Sequence, residues 1–597
     1  MTSTAATGTA ARDYLADART LWELLERRVA LTPDQPMLMQ EIEPSEIEQG
    51  RIEQGQAGEP GQAGEPGQAG EPGQAGEPGR EGEPAQEGEP GSARDRVPRF
   101  RVLSFREVRD RAVRIAAGLR EAYGVGEGTP VAWQLPTRVE TVLVSLALAR
   151  LGAVQTPIIA IYRGAEVGRI LDESGAELFL VPGAWRGFDY VAFAEKLGTG
   201  RARPPRVVVA YDQAGLPQGD PSTLPPPPRT DQSDELAPIR WIYYTSGITS
   251  APKGARHTDR TLIAGGVGLA DALDMGPEDV GSIAFPYAHI GGPDYLVTML
   301  VHGFPALLVE VFALPDVLPG YRRGGVTMAG GSTAFYAAFL AEQRKLPPGE
   351  RLLPDLRIIS GGGAPRPPEM YREVVEELGC VLAHGYGMTE VPAICMGSPR
   401  DTPDQLAHTE GRPVTGVEVR VVRLDGEPAS AGEEGELWLR GPMVCRGYTD
   451  PGLTEECFAP DGWFRTGDLG HIRLDGHVVL TGRLKDIIIR KGENISAKEI
   501  EDLLYQDPRV GEVAVIGLPD PVRGERVCAV VERRPGVEPP TLADVAARLR
   551  AAGLMAQKVP EQLEVVDALP RNETLRKILK HELRDRYAAE PWTDPRG

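Results

Sequence analysis

The sequence predicts an α/β protein with a large first domain, residues 1–484, and a small α+β domain, residues 485–597. At 597 residues the chain is too long for one compact core, so at least two domains are expected. Between residues 100 and 160, strand-like segments alternate with amphipathic helical segments, which is typical of helices packed on a parallel sheet. Short β-like segments before residue 470 predict an additional small β-barrel-like part.

Composition argues against several classes of protein. No apolar run approaches the length of a membrane span, and the first residues lack a signal sequence, so we expect a cytoplasmic protein with no integral membrane segment. No basic, aromatic-rich patch indicates a nucleic-acid partner. The five cysteines are scattered without metal-ligand spacing, and we expect free thiols.

One low-complexity segment carries about half of the net charge of −21, because residues 41–92 contain thirteen Glu, two Arg and no Asp or Lys. Within it, residues 55–90 form six hexads, four of them Gly-Gln-Ala-Gly-Glu-Pro. We predict a disordered, acidic, Gly-X-Y-like insert over residues 41–93. The alternative is a short collagen-like triple helix that assembles several chains.

The elements on either side of the insert follow from residue spacing. Apolar residues at helical spacing predict a helix over 21–29, and a short strand follows at 37–39. A strand at 99–103 could pair with it, which would make the insert the tip of a hairpin. Ser104 and Glu107 then form a capping box for the next helix.

The alternation of strands and helices continues beyond that helix. Residues 131–135 predict a strand, and Thr137 with Glu140 predicts the cap of a helix that ends near Leu151. Residues 154–159 predict another buried strand. A Pro-rich link at 216–228 separates this part from the next strand.

The segment Tyr243–Gly254 has the composition of a phosphate-binding loop. An aromatic strand leads into hydroxyl residues and glycines, and Lys253 adds one cation, so backbone N–H groups, hydroxyls and a positive charge lie close together. It is not a Walker loop, because no Gly-Lys-Ser/Thr follows. An ordinary surface turn is the alternative interpretation.

Two later strands are also predicted to lead into glycine-rich turns, at Ser360–Pro365 and His384–Glu390. Such turns suit a ligand that lies across the carboxyl edge of a sheet. Gly385–Gly387 lacks the third glycine of a dinucleotide fingerprint, which makes that alternative weak. His289, beside glycines after an apolar strand, is either a packed residue or part of a site.

The remaining chain predicts the small α+β domain. Trp463–Gly470 and Gly482–Asp486 precede it. Its predicted elements are a helix at 497–504, strands at 513–516 and 527–531, a helix opened by Thr541 and a strand at 563–566.

Taken together, these motifs resemble those of the adenylate-forming (AMP-binding) superfamily of acyl-CoA synthetases, luciferases and peptide-synthetase adenylation domains. The resemblance covers about residues 20–590 apart from the hexads, and the motifs occur in the family's order and spacing. It implies an AMP-forming acid–thiol ligase that uses ATP, Mg²⁺ and coenzyme A. The implied partners are CoA and a small carboxylic acid, and the implied state is a monomer or homodimer with a mobile small domain.

The resemblance also implies the roles of individual residues. Lys577 would be the catalytic lysine that bridges the carboxylate and the α-phosphate, Lys253 would hold the β and γ phosphates, and His289 would line the acid pocket. Thr245 and Glu390 would bind Mg²⁺. The implied ATP- and AMP-binding residues are Thr245, Ser246, Gly247, Thr249, Lys253, Gly361, Gly362, Gly363, Ala364, Pro365, His384, Gly385, Tyr386, Gly387, Met388, Thr389, Asp468, Arg483 and Lys577.

Between the two half-reactions the small domain would rotate at Lys485 and present Lys491 and Gly492 to CoA. Three residues depart from the family pattern: Ile248 and Ser250 in the loop, and Arg576 before the catalytic lysine. Their side chains are expected to alter activity rather than abolish it, because every charged group remains.

Several outcomes share the first reaction step. The chain resembles acyl-CoA synthetases most closely, and within that group it is similar to bacterial medium-chain fatty-acid or cyclohexanecarboxylate CoA ligases, which implies a place in fatty-acid and lipid metabolism. Loading of a carrier protein and luciferase-like oxidation are the alternatives. An impaired homologue that acts in assembly through the Gly-X-Y insert is an alternative of a different class.

Overall fold

The computed structural model describes residues 10–42, 100–211, 215–230, 236–245, 252–363, 366–491, 493–571 and 578–589. It confirms the α/β class, with sheets that contain parallel strands packed by helices. The predicted disordered insert and its collagen-like alternative lie outside the described residues, apart from the first two positions of the insert. Among the described residues, no helix is both long and apolar enough to cross a membrane.

A short helical segment at residues 10–16 precedes fifteen further α-helices in the described residues, which surround the sheets. They are α1 (Leu21–Leu31), α2 (Phe105–Tyr123), α3 (Val139–Leu151), α4 (Gly164–Ser174), α5 (Tyr190–Gly198), α6 (Asp259–Leu273), α7 (Gly291–His302), α8 (Leu318–Gly324), α9 (Thr333–Gln343), α10 (Pro368–Glu373), α11 (Pro403–His408), α12 (Pro451–Cys457), α13 (Ala497–Tyr505), α14 (Leu542–Ala551) and α15 (Lys580–Ala589). The predicted capping box of Ser104 and Glu107 is present at the start of α2.

The first sheet contains the two strands that flank the insert. Its strands are β1 (Pro36–Glu41), β2 (Phe100–Ser104), β11 (Gly281–Ile283) and β12 (Ala306–Leu308), in the order β11-β12-β1-β2. β1 and β2 run antiparallel, with Glu41 opposite Phe100. This pairing confirms the prediction, so residues 43–99 connect two strand ends that are already hydrogen-bonded to each other.

The second sheet is parallel except at one edge. Its strands are β3 (Pro130–Trp133), β4 (Val154–Pro157), β5 (Leu178–Val181), β8 (Arg206–Val209), β9 (Trp241–Thr245) and β10 (Lys253–His257), in the order β10-β9-β4-β3-β5-β8, and a separate hairpin is formed by β6 (Ala184–Trp185) and β7 (Phe188–Asp189). β10 runs antiparallel to β9, and Lys253 lies opposite Thr245. Lys253 therefore begins a strand.

The predicted cap of α3 is wrong. The helix begins at Val139, and its N-cap, Arg138, makes no side-chain capping bond. Thr137 instead donates to the carbonyl oxygen of Phe285 and accepts from the N–H of Tyr287, both at 3.0 Å. The Val139 N–H donates to Oε1 of Gln40 in β1 at 2.8 Å, so a residue distant in sequence caps this helix.

The third and fourth sheets follow in the chain. The third contains β13 (Met328–Gly331), β14 (Ile358–Gly362), β15 (Val381–Met388), β16 (Val391–Met396) and β17 (Arg412–Pro413) in chain order, with β13, β14 and β15 parallel. The fourth, the part predicted to be barrel-like, is an antiparallel sheet of β18 (Glu418–Val422), β19 (Gly435–Arg440), β20 (Phe464–Ile472) and β21 (Val478–Arg483). The predicted turn after Ala383 is instead strand, because β15 continues to Met388.

The last sheet contains only residues after 486. Its strands are β22 (Ile487–Arg490), β23 (Glu493–Ser496), β24 (Val510–Asp520), β25 (Gly524–Arg533) and β26 (Gln562–Val566). Two hydrophobic clusters in this region draw all their members from residues 488–587. A single turn, Leu484–Asp486, connects β21 to β22. The domain division at 484/485 remains a prediction, which this separate core supports.

Deleting residues 50–92 is expected to leave the fold, the oligomeric state and the activity unchanged, because β1 and β2 already pair beside the insert. Loop-closure entropy falls by about 0.6 kcal/mol for each halving of loop length, so we expect the free energy of unfolding to rise by about 1 kcal/mol. Denaturant unfolding and sedimentation of the two proteins test this. A change to a smaller assembly would instead support the assembly role of the insert.

Candidate active site

A single cavity of about 1440 Å³ is bounded by residues from the second, third and fourth sheets and from α7. This volume exceeds the roughly 300–1,000 Å³ of most small-molecule pockets, so the cavity has room for two ligands or one large ligand. Most of the described residues predicted for the site line it. They are Thr245, Lys253, His289, Gly361, Gly362, Gly363, Gly385, Tyr386, Gly387, Met388, Thr389, Glu390, Asp468, Arg483 and Lys485.

A buried carboxylate lies at one side of the cavity. Asp468 in β20 is 5% exposed. Its Oδ2 accepts a hydrogen bond from the Tyr386 hydroxyl at 2.6 Å, and its Oδ1 lies 2.9 Å from Nε of Arg483. Asp468 raises the pKa of Arg483, which keeps the guanidinium charged. This trio offers a cation and a carboxylate in fixed positions to a polar ligand.

An irregularity in the pairing of β20 with β19 lies just before Asp468 and positions its side chain. Gly467 has a φ of +70°, a left-handed conformation that favours glycine. The hydroxyl of Thr466 donates to the carbonyl of Leu437 at 2.7 Å and accepts from the N–H of Asp468 at 2.9 Å. The N–H of Gly467 donates to Glu436 at 3.0 Å. Strand β19 thus holds the part of β20 that carries the carboxylate.

Tyr448 lies close to both Lys253, the predicted phosphate-binding lysine, and Glu390, the predicted metal ligand. The hydroxyl of Tyr448 donates to Oε1 of Glu390 at 2.7 Å, and Nζ of Lys253 lies 6.0 Å from the centre of the Tyr448 ring. The backbone of this segment is paired with β10, because the N–H of Thr449 donates to the carbonyl of Gly254 at 2.8 Å. At one side of the cavity, the Lys253 ammonium group and the Glu390 carboxylate therefore both lie close to the Tyr448 ring.

Glycines in β14 and β15 allow close strand packing beside the cavity. A Cβ added to Gly362 would lie 2.2 Å from the carbonyl oxygen of Gly385. A side chain there would collide with the backbone of the adjacent strand, so this glycine is required by packing whatever else it contacts.

Two of the described residues predicted for the site, His384 and Lys491, do not line the cavity. His384 is buried but does not line the cavity; its Nδ1 is 3.4 Å from the Tyr336 hydroxyl and its Nε2 is 3.5 Å from Glu410. Lys491 is exposed, with a φ of +50°. His289 lines the cavity, and its Nδ1 accepts from the N–H of Gly291 at 3.2 Å.

Several predicted residues lie outside the described part of the chain. They are Ser246, Gly247, Thr249, Ala364, Pro365, Gly492 and Lys577, together with the atypical Ile248, Ser250 and Arg576. Arg571 and Ile578, on either side of the Lys577 segment, form a β-bridge with each other. The roles of these residues remain predictions.

The sequence reasoning missed Tyr448, Thr466 and Asp294, all of which line the cavity. No local spacing singles them out, because each acquires its position through residues distant in the chain or through a helix that packs at the cavity wall. Oδ1 of Asp294 is buried and has no hydrogen-bond partner among the described residues. Burial raises the pKa of the Asp294 carboxyl to about 8.

The predicted Mg²⁺ ligands, Thr245 and Glu390, both line the cavity. Within the described ranges, no group of three or more His, Cys, Asp or Glu side chains could hold a metal ion. Glu390 and the hydroxyl of Thr245 offer the oxygen ligands that Mg²⁺ accepts when a phosphate supplies the others. All five cysteines are free thiols, as predicted.

The protein is therefore of the α/β class, and its sheets surround a large cavity with charged side chains at fixed positions on its wall. The model of the AMP-binding enzyme family matches residues 89–449, and that of the AMP-binding enzyme C-terminal domain matches residues 499–575. The first match covers more than half of the chain. The chain therefore belongs to the AMP-binding enzyme family, which confirms the resemblance seen in its motifs.

Characterised relatives are similar along most of the chain. It is 32% identical to the sulfoacetate–CoA ligase of Cupriavidus necator, over 77% of this chain and 89% of that protein. It is 33% identical to the salicyl-AMP ligase / salicyl-S-ArCP synthetase of Mycobacterium tuberculosis, over 78% and 82%. It is 30% identical to the medium-chain fatty-acid–CoA ligase of Escherichia coli, over 80% and 84%.

Solved structures share the fold. ATP-bound MatB from Rhodopseudomonas palustris superimposes with a TM-score of 0.72 at 28% identity, over 82% of this chain and 94% of that one. O-succinylbenzoate coenzyme A synthetase (MenE) from Bacillus subtilis, in complex with ATP and magnesium ion, has a TM-score of 0.72 at 25% identity, over 94% and 99%.

Asp294→Asn is expected to stabilise the protein near pH 8 and to have little effect near pH 4. In the unfolded chain this carboxyl ionises near pH 4, whereas burial keeps it neutral in the folded protein up to about pH 8. The folded state holds the extra proton between these values, so wild-type stability falls as pH rises through this window. Burial raises the pKa of Tyr243 in β9, and the charges of Tyr287, Asp294 and Asp259 raise it further.

We expect the advantage of the Asn variant to reach on the order of 5 kcal/mol above pH 8, because the pKa differs by about four units between the folded and unfolded protein and each unit corresponds to about 1.4 kcal/mol. Denaturant unfolding at intervals from pH 4 to pH 9 measures it. Stability curves of the two proteins that run parallel over this range would show that Asp294 ionises normally in the folded protein.

Proposed function

We propose that this protein activates a carboxylic acid and transfers it to coenzyme A. The acid attacks the α-phosphate of Mg-ATP and forms an acyl-adenylate and pyrophosphate; the CoA thiol then displaces AMP. The observation that carries this proposal is that one cavity contains both the Asp468–Tyr386–Arg483 trio and the Lys253–Tyr448–Glu390 group. Membership of the AMP-binding enzyme family supports the same chemistry.

The trio suits the ribose of the nucleotide. Tyr386 and Arg483 each occupy one bond to Asp468, and a carboxylate has about four acceptor positions, so capacity remains for two ribose hydroxyls. Arg483 adds positive charge beside the phosphates. Gly361–Pro365 and the Tyr386 ring would form the wall against adenine.

The second group suits the phosphates, which must be neutralised before an anionic acid can attack. Lys253 and the backbone N–H groups of residues 246–249 would bind the β and γ phosphates. Thr245 and Glu390 would hold Mg²⁺, which when bound offsets the phosphate charge. Tyr448 holds Glu390 in place by its hydrogen bond, and so acts as a positioning residue.

Lys577 would bring a cation between the attacking carboxylate and the α-phosphate, and His289 would line the pocket of the acid. After adenylation, rotation at Lys485 would withdraw Lys577 and bring Lys491 and Gly492 toward the pantetheine of CoA. The connection of the two units by the single turn Leu484–Asp486 supports a hinge at this position.

The final acceptor and the acid are the finer parts of the proposal. A carrier protein is the second candidate acceptor, because the relative from M. tuberculosis is named as a salicyl-S-ArCP synthetase. The relative from E. coli supports a medium-chain fatty acid and a role in lipid metabolism, whereas others are named for aromatic or sulfonated acids. A cytoplasmic location and a monomer or homodimer remain predictions.

Asp468→Asn is expected to lower kcat/KM for ATP by about 10- to 100-fold, because the substitution disrupts a network of charge-assisted hydrogen bonds. Asp279→Asn is the matched control. Asp279 is 2% exposed and paired with Arg357 at 2.6 Å, but it does not line the cavity. The control should lower stability and leave KM for ATP unchanged. Equal effects of both variants on KM would remove Asp468 from the nucleotide site.

Pyrophosphate release across a panel of carboxylic acids, with and without CoA, tests the reaction itself. We expect ATP-dependent release with at least one acid, faster turnover when CoA is added, and release at least 100-fold slower in Lys577→Ala. Release that CoA does not accelerate would favour a carrier protein as acceptor. A wild-type protein that activates no acid would instead support the impaired homologue with an assembly role.

A further inference from the structure

One face of α7 and the turn before it forms part of the cavity wall. Ile290, Gly291, Asp294 and Tyr295 all line the cavity. Asp294 lies one helical turn after Ile290, so both project to the same side of the helix. Asp294 is therefore a carboxyl group set into an otherwise mostly apolar stretch of wall, and it is only 3% exposed.

The carboxyl of Asp294 lacks the hydrogen bonds that buried acids normally make. Its Oδ1 has no partner within the described part of the chain. It lies against α6, where a Cβ on Gly265 would be 2.7 Å from Oδ1, and Pro392 lies beside the same glycine. A glycine and a proline ring present no side-chain donor, so the packing that encloses Asp294 leaves it unsatisfied.

A second buried aspartate, Asp259, differs from Asp294 in that both of its carboxylate oxygens accept hydrogen bonds. Asp259 at the start of α6 is 6% exposed and does not line the cavity. Its Oδ1 accepts from Nε1 of Trp241 at 2.8 Å and its Oδ2 from the N–H of Leu21 at 3.0 Å. An unsatisfied buried acceptor destabilises a fold, so Asp294 carries a cost that the hydrogen-bonded Asp259 does not.

Within the part of the chain that the structure describes, no basic side chain offsets this cost, since burial alone shifts the pKa of Asp294 upward. Near pH 7 the group is therefore mainly a neutral carboxylic acid, which both donates and accepts hydrogen bonds. A hydrocarbon ligand would bury it further without a partner. A ligand with a polar substituent would supply the missing bond.

We propose that Asp294 is a specificity-determining residue that hydrogen-bonds a hydroxyl or amino substituent on the tail of the carboxylic acid. The substrate class is then a hydroxy or amino acid of aromatic or aliphatic skeleton, rather than an unsubstituted fatty acid. This inference rests on the proposed function, because it assumes that the cavity holds the acid during adenylation.

Matched acids test the inference. Pyrophosphate release is measured for benzoate and its 2-, 3- and 4-hydroxy and amino derivatives, and for hexanoate with its 2-hydroxy, 6-hydroxy and 6-amino derivatives. We expect at least one substituted acid to exceed its parent at least tenfold in kcat/KM. The hydroxy and amino arms identify which donor the site accepts.

Asp294→Leu and Asp259→Asn are then compared on the preferred pair. Leu has no hydrogen-bonding group, so the ratio of substituted to parent acid should fall at least tenfold, mainly through loss of the substituted acid, while the parent acid is still activated. Asp259→Asn should lower the thermal midpoint and leave the ratio unchanged. Asp294→Leu removes an unsatisfied group and should not lower the midpoint, which separates the result from misfolding.

The outcomes divide clearly. A wild-type ratio within twofold for every pair, or the same ratio in Asp294→Leu, overturns the inference while the proposed function stands. A wild-type protein that activates neither parent nor substituted acids overturns the proposed function and this inference with it.

Discussion

The hydrogen bond between Tyr386 and Asp468 is the interaction on which the cavity depends. Tyr386 belongs to β15 of the third sheet and Asp468 to β20 of the fourth, so a 2.6 Å bond links two sheets that are otherwise separate in the strand order. Arg483 on β21 neutralises the same carboxylate. Burying that charge is tolerable only because a donor and a cation satisfy it, and together they fix where a polar ligand must lie.

Two buried carboxyl groups at the same cavity differ in how they affect the stability of the protein and the binding of a ligand. Asp468 is paired with Arg483 and Tyr386, whereas Asp294 has no hydrogen-bond partner for Oδ1 among the described residues, and burial raises its pKa to about 8. In the proposed function, the first arrangement binds the ribose of the nucleotide. The second lowers the stability of the empty protein and is relieved only by a ligand with a matching group, as expected where function requires a locally unfavourable residue.

The acidic insert illustrates how an addition can be accommodated without affecting the site. It enters and leaves through β1 and β2, whose antiparallel pairing closes the connection at its base. A long loop between strands that are already paired costs little more closure entropy than a moderately long one. Its large negative charge therefore says little about the partners of the folded part.

The sequence by itself determined the fold class, the elements on either side of the insert and in the small domain, and fifteen residues of the cavity wall, because strand and helix periodicity and glycine-rich motifs are local patterns. The capping box at Ser104 was predicted for the same reason. The tertiary structure alone decided the rest. Gln40 caps α3 where Thr137 was expected to, Tyr448 orients Glu390, and His384 lies behind the cavity wall. Oδ1 of Asp294 lies against Gly265 of α6 and has no hydrogen-bond partner among the described residues. Each of these depends on contacts between residues far apart in the chain, which periodicity and spacing do not encode.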